Sequence, residues 1–147
     1  MQRTLELRFL GTREEFEQAY TQLRHALDAV QLDAAARYNV ELVFEEIVAN
    51  VVSHGAPASH ESDLHVRVTL ELGLESIRLT FEDNGVPFDP RARPDPPPPQ
   101  SLDHEGGFGL LLVRHAASSI DYQRTGEGRN RFTVTLPRAA GSTNRVR

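Results

Sequence analysis

Two polar residues stand in the most apolar stretch of this chain. Glu46 and Asn50 fall among Val40, Leu42, Val43, Phe44, Ile47, Val48, Val51 and Val52. Such a run is apolar almost all round a helix, so the helix is expected to be largely buried. Four residues apart, Glu46 and Asn50 share one face, a turn from each other. An unpaired carboxylate in that setting costs on the order of several kcal/mol, and a pocket with water and a metal ion would offset the cost. Mg2+ favours oxygen ligands and few protein contacts, so one asparagine oxygen with phosphates and waters suffices to hold it. A carboxylate beside it could take a proton from an attacking hydroxyl. Glu45 is the rival for that role. It lies about 100° round the helix from Glu46, and the spacing to Asn50 favours Glu46. His54 follows four residues after Asn50 and reads as a helix-end histidine meeting the terminal carbonyls, with Gly55 as a C′ residue.

Two other segments carry complementary chemistry. Phe81-Glu82-Asp83-Asn84-Gly85 leaves a strand and enters a loop. A carboxylate there can accept a hydrogen bond from an exocyclic amine such as adenine N6, and Gly85 lets the backbone approach a flat ring. Asp-Asn-Gly is also a strong turn former, but a turn does not require the Pro87-Phe88 that follows. Gly106-Gly107-Phe108-Gly109-Leu110 precedes a helix. Glycines there let backbone N–H groups crowd around phosphate, and the helix N-terminus adds a favourable dipole. No Gly-Lys-Ser/Thr follows, so this is not a Walker A loop.

The elements that must position these segments can be read from periodicity. Leu5, Leu7 and Phe9 alternate with Glu6 and Arg8 as a half-buried strand ended by Gly11. Thr12-Arg13-Glu14-Glu15 is a capping box that predicts a helix from Arg13, carrying Phe16, Tyr20, Leu23, Leu27 and Val30 on one face. Asp33 is the N-cap of a second helix running to about His54. Val66 to Leu72 and Ile77 to Phe81 alternate as a hairpin around Gly73. Residues 86–105 are rich in proline, with Pro96-Pro97-Pro98-Pro99 at the centre, and form neither helix nor central strand. A third helix is predicted from Gly109 to Ser118. A second hairpin joins Ile120–Arg124 to Arg131–Leu136 around Gly126-Glu127-Gly128, and Gly128-Arg129-Asn130 in its turn is assigned no chemistry. Five alternating strands and three helices with apolar stripes predict an α/β two-layer sandwich, with the helices on one side of the sheet.

The three segments, in this order and at these placements, resemble the ATP-binding fold of the GHKL superfamily, and most of all its small anti-sigma serine kinases of the RsbW type. The resemblance runs from about Leu5 to Pro137. The family pattern Asp-x-Gly-x-Pro-Phe is matched at Asp83, Gly85, Pro87 and Phe88, and Asp89-Pro90 extends the match to the small anti-sigma branch. Many superfamily members have a further glycine two residues before Gly107, where this chain has Glu105. The resemblance implies a Bergerat-type sandwich with a mostly antiparallel five-stranded sheet and ATP and Mg2+ as ligands. It implies that Asn50 binds Mg2+ and that Glu46 is the general base. Asp83, Gly85, Pro87, Phe88, Gly107, Phe108, Gly109 and Leu110 are then the remaining nucleotide-binding residues. Residues 86–105 would be the ATP lid, with Arg91, Arg93 and Arg114 as candidate phosphate contacts. The implied activity is γ-phosphoryl transfer to a serine of a STAS-domain antagonist, by a homodimer that also sequesters a sigma factor. A nucleotide-gated binding module without significant turnover is the alternative. A third possibility is a detached ATP-binding domain serving a separate phosphoacceptor protein.

Composition narrows the setting. The chain has 147 residues, 39% of them hydrophobic and 25% charged, with a net charge of −5 and no cysteine. One domain over residues 1–137 is expected, with a polar disordered tail at 138–147. Absent cysteine excludes disulfides and thiol chemistry and fits a cytoplasmic location. The first residues lack the apolar stretch of a secretory signal, and no apolar run is long enough to span a membrane. The negative balance argues against direct nucleic-acid binding and suits protein partners.

Overall fold

The computed structural model describes residues 3–54, 56–59, 62–92 and 108–139. The described chain runs β1 (Arg3–Leu10), α1 (Arg13–Asp28), α2 (Ala34–His54), β2 (His65–Leu72) and β3 (Ser76–Asp83). A short 3-10 turn (Pro90–Ala92), α3 (Phe108–Ala116), β4 (Ser119–Arg124) and β5 (Asn130–Pro137) follow. The strands form one antiparallel sheet in the order β1-β2-β3-β5-β4. The expected two-layer α/β sandwich is therefore present, with five strands and three helices.

Local chemistry sets the element starts. Thr12 Oγ1 accepts from Glu15 N–H at 3.2 Å, as a capping box requires. The Glu15 carboxylate, however, reaches past Thr12 to accept from Leu10 N–H at 2.8 Å, because Thr12 N–H is already given to Leu10 C=O. Asp33 caps α2 by accepting from Ala36 N–H at 2.7 Å. Arg37 then ties α2 to α1, donating to Glu41, to Asp28 and to the Arg24 carbonyl.

Alternation decides which face of the sheet meets the helices. Leu7 and Phe9 of β1, Val66, Val68, Leu70 and Leu72 of β2, Ile77, Leu79 and Phe81 of β3, and Phe132, Val134 and Leu136 of β5 are all buried. Phe44 of α2 lies at the centre of this core. Its ring centroid is 6.2 Å from Phe9, 6.0 Å from Phe16, 5.8 Å from Tyr20 and 6.4 Å from Phe81. It thus joins α1, α2 and two strands, and it fixes the rotation of α2 about its own axis. The fold continues past Pro137. Arg138 donates through its backbone to Glu75 C=O and through its side chain to Gly73 C=O at 2.7 Å. A disordered tail from 138 therefore does not hold for Arg138. Residues 140–147 lie outside the described residues.

Phe44→Ala should cost about 3–5 kcal/mol, read as a fall in the urea midpoint. Leu74→Ala, on a side chain 78% exposed in the β2–β3 hairpin, should change stability by less than about 0.5 kcal/mol.

Candidate nucleotide site

Glu46 faces the start of α3. A Cβ placed on Gly109 would lie 1.6 Å from Glu46 Oε1 and 2.0 Å from its Cδ, so the carboxylate rests directly against the Gly109 backbone. Any larger residue in this first turn of α3 would push it away. The carboxyl group is half-buried, and burial, aided by the negative charge of Glu45, raises its pKa above the ordinary value. Asn50, one turn further along α2, is buried, while Glu45 is exposed. The rotation set by Phe44 thus turns Glu46, rather than its neighbour, toward α3. Leu110 is buried under α3. Phe108 opens that helix, its side chain lying outside the described residues with Gly107 and Arg93.

Two candidate phosphate arginines already have partners. Arg91 is held by Asp89 through contacts of 3.0 to 3.3 Å. Arg114 donates to the Arg91 carbonyl at 3.2 Å, which ties α3 to the 3-10 turn.

The second half of the site lies at the ends of β3 and β5. Asp83 is the last residue of the inward stripe Ile77, Leu79, Phe81, and Asn130 is the first of the stripe Asn130, Phe132, Val134, Leu136. The two are register partners. Asn130 Nδ2 donates to Asp83 Oδ1 and to Val86 C=O, each at 2.9 Å. Its Oδ1 accepts from Tyr122 OH at 2.5 Å, Arg124 Nη1 at 3.1 Å and Phe88 N–H at 3.2 Å. Gly85 N–H also donates to Asp83 Oδ1, at 2.8 Å, so these contacts fall on one oxygen of Asp83 and leave Oδ2 for another donor. Burial raises the Asp83 pKa. The hydrogen bonds from Asn130 and Gly85 and the charges of Arg124 and Arg129 work against that rise.

Gly85 is needed for a reason besides approach to a ring. A Cβ there would meet Asp83 Oδ1 at 2.9 Å and Ala56 C=O at 3.3 Å. Val86 N–H donates to Ala56 C=O, and Ala58 N–H to Asn84 C=O, so the exit of α2 straps this loop. Pro87 is exposed and Phe88 half-buried.

Asn130 is the functional residue that sequence reading missed. Its signal was a polar side chain in the same alternate register as Phe132, Val134 and Leu136, where an apolar one belongs. The cavity between α2 and these strand ends is lined by Ile47, Val51, Asp83, Phe88, Pro90 and Asn130, among others, and measures only about 10 Å3, room for about one water. Glu46 and Asn50 each directly precede one of its lining residues. Neither Glu46 nor Asn50 itself lines it. A larger cavity, about 480 Å3, lies elsewhere, around Arg67, Glu82 and Arg131.

The donor set fits Mg2+ of a particular kind. Among the described residues no three acidic or histidine side chains cluster around a common point. An amide oxygen beside a carboxylate suits an ion that brings phosphate and water ligands with it.

Comparison with known proteins gives the family and the fold. Residues 11–136 match the family of the histidine kinase-like ATPase domain. The chain belongs to that family. It is 34% identical over 115 residues to the serine/threonine-protein kinase BtrW of Bordetella bronchiseptica, covering 77% of this chain and 79% of that one. The fold is similar to the RsbU and RsbW domains of Rv1364c from Mycobacterium tuberculosis, with a TM-score of 0.57 and 19% identity. That match covers 92% of this chain and 33% of the mycobacterial one, so this chain spans about a third of that protein's length. The SiaB–SiaC complex of Pseudomonas aeruginosa gives a TM-score of 0.56 at 17% identity, covering 90% of this chain and 89% of that one. These two likenesses are of fold. Among the described residues no helix is long and apolar enough to cross a membrane.

Two outcomes follow for stability. A carboxyl group whose pKa is raised on folding binds more protons folded than unfolded, so Glu46 makes stability fall as pH rises from the ordinary carboxylate range through its folded pKa. Glu46→Gln should therefore raise the melting temperature at pH 7, with the advantage shrinking below about pH 4. Asn130→Ala should lower stability by about 2–3 kcal/mol, since it strips partners from several buried polar groups at once, as measured by urea unfolding.

Proposed function

We propose that this protein is an ATP-dependent serine/threonine protein kinase of the partner-switching kind, which phosphorylates a STAS-domain partner and, as a homodimer, sequesters a sigma factor. The observation that carries the reading is the placement of the Glu46 carboxylate against Gly109, one turn from Asn50 and beside the start of α3. Phosphoryl transfer needs positioning and charge stabilisation more than covalent chemistry from the protein. The first turn of α3 offers backbone N–H groups to the phosphates. Asn50 would hold Mg2+, which when bound neutralises phosphate charge. Asp83 Oδ2 accepts from the adenine amine, while Asn130 and Gly85 keep the other oxygen occupied and so fix the carboxylate plane. Gly85, Pro87 and Phe88 shape the ring's surroundings, and Gly107, Phe108, Gly109 and Leu110 serve the phosphates. Glu46 takes the proton of the partner's serine hydroxyl as the oxygen attacks the γ-phosphorus and ADP leaves. A base with a raised pKa suits that proton transfer better than an ordinary surface carboxylate. The relative named as a serine/threonine kinase supports this reading.

One observation favours the second reading, a nucleotide-gated binding module with little turnover. The adenine-end cavity, with Phe88 and Pro90 in its lining, measures about 10 Å3, too small for an adenine ring, so a nucleotide must displace part of that lining to enter. A surface moved by nucleotide is what a gated switch requires.

Isothermal titration with Mg-ATP should show micromolar binding to the wild type and none to Asp83→Ala or Asn50→Ala. Absence of wild-type binding would sink the site assignments together. With γ-labelled ATP and candidate STAS proteins, Glu46→Gln should bind nucleotide but transfer about 10²- to 10⁴-fold more slowly. Label transfer by neither wild type nor variant to any STAS protein, with binding intact, would favour the gated module. Gly109→Ala should fold normally yet slow transfer at least about tenfold, because it evicts the carboxylate from its place.

A further inference from the structure

The face of the sheet that carries no helix has its own site. Register sets Arg8, Arg67, Glu82, Arg131 and Gln123 in one row across all five strands. Around that row lies the cavity of about 480 Å3, whose lining includes Arg8, Arg67, Arg129, Arg131, Glu82 and Glu127. Four arginines against two glutamates leave a surplus of positive charge, on a chain whose net charge is −5.

The inner glutamate does not cancel the arginines; it arranges them. Glu82 is buried, and its two oxygens are taken separately, Oε1 by Arg67 Nη2 and Oε2 by Arg131 Nε at 2.6 Å. Burial alone would raise its pKa, but hydrogen bonds from Arg131 and Arg67 and their charges together hold it below the ordinary value. Each arginine thereby loses freedom but few donors. Their side chains stay 43% and 42% exposed, and a guanidinium has five N–H groups in a fixed fork. Two forks held in place before any ligand arrives lower the entropic cost of binding an anion. Arg8 and Arg129 are exposed at the margins. Among the described residues Arg8 pairs only with the exposed Glu6, and Arg129 has no ion pair.

We propose that this basin docks an acidic, extended segment of a protein partner, distinct from the nucleotide site and on the other side of the sheet. Width argues for a chain rather than a small anion. From Arg8 to Arg131 is three strand steps, roughly 14 Å at about 4.8 Å per step. A single phosphate meets one or two of these groups. In an extended peptide alternate side chains lie about 6.7 Å apart on one side, so three alternating carboxylates cover the same span. The threonine row behind it, Thr69, Thr80 and Thr133, supplies small hydroxyls that let a backbone lie close.

The test uses a fluorescein-labelled (Glu-Thr)5 peptide with the whole chain, followed by anisotropy, with (Lys-Thr)5 as control. The acidic peptide should bind, weaken steeply as NaCl is raised, and lose about tenfold or more in affinity to the Arg8→Glu/Arg129→Glu double variant. Neither arginine touches Glu82, so an unchanged melting curve is expected and shows that the fold is intact. Equal binding by the double variant overturns the proposal. So does displacement of the peptide by inorganic phosphate at equal concentration, which would make this a small-anion site. If wild type ignores the peptide while sedimentation shows a dimer that the double variant dissociates, the face belongs to a second copy of the chain and the proposal also fails.

Discussion

Each step along a β-strand crosses the sheet, and at the ends of β3 and β5 that constraint shapes both surfaces of the molecule. Phe81 and Asp83 point toward the helices while Glu82 points away, and Asn130 points in while Arg131 points out. The pairing of β3 with β5 sets Asp83 opposite Asn130 and Glu82 opposite Arg131. One pair of strands therefore builds a hydrogen-bonded carboxylate on the helix side and an arginine-clamped carboxylate on the open side. A one-residue slip in register would exchange the two sets and destroy both. The apolar stripes of β2 and β3, packed under Phe44, are what forbid the slip.

The same packing explains why acids of like type behave oppositely. Asp83 and Glu46 sit on the buried layer with amide and backbone neighbours, so removal from water dominates and both are raised. Glu82 is also buried, but it meets two guanidinium groups, and their hydrogen bonds outweigh the desolvation. A raised carboxyl group is a stability liability at neutral pH. A half-buried carboxyl group set against a glycine that makes room for it is what the proposed role of Glu46 as a base would require.

Much of this was legible in the sequence because it rests on short-range rules. Thr12, Asp33 and Gly73 marked the element boundaries through capping and turn chemistry, and the two-residue period of β1, β2, β3 and β5 gave the sheet face. The four-residue spacing of Glu46 and Asn50 on an apolar helix pointed to one half of the candidate site. What escaped depends on contacts far apart in the chain. The insertion of β5 between β3 and β4 brings Asn130 to Asp83, 47 positions away, and no local signal in a Gly-Arg-Asn turn announces that partner. Glu82 likewise carries no local sign of its two arginines, which come from different strands. Glu15 was readable as a capping residue but not as one that reaches Leu10, because the donor it serves is fixed by the turn before the helix.

The closed adenine end follows from the same geometry. Asn130 holds Val86 and Phe88 by their backbones, and Asp89 holds Arg91, whose carbonyl receives Arg114 of α3. A single chain of polar contacts thus runs from the floor of the pocket, through the segment that covers it, to the helix whose first turn faces Glu46. An adenine ring that entered beneath Phe88 would have to break or stretch a member of that chain. The strain would then be felt at α3, where Gly109 and the carboxylate meet. If the proposed function holds, nucleotide entry and the position of Glu46 are coupled through these hydrogen bonds, which exist before any ligand is present.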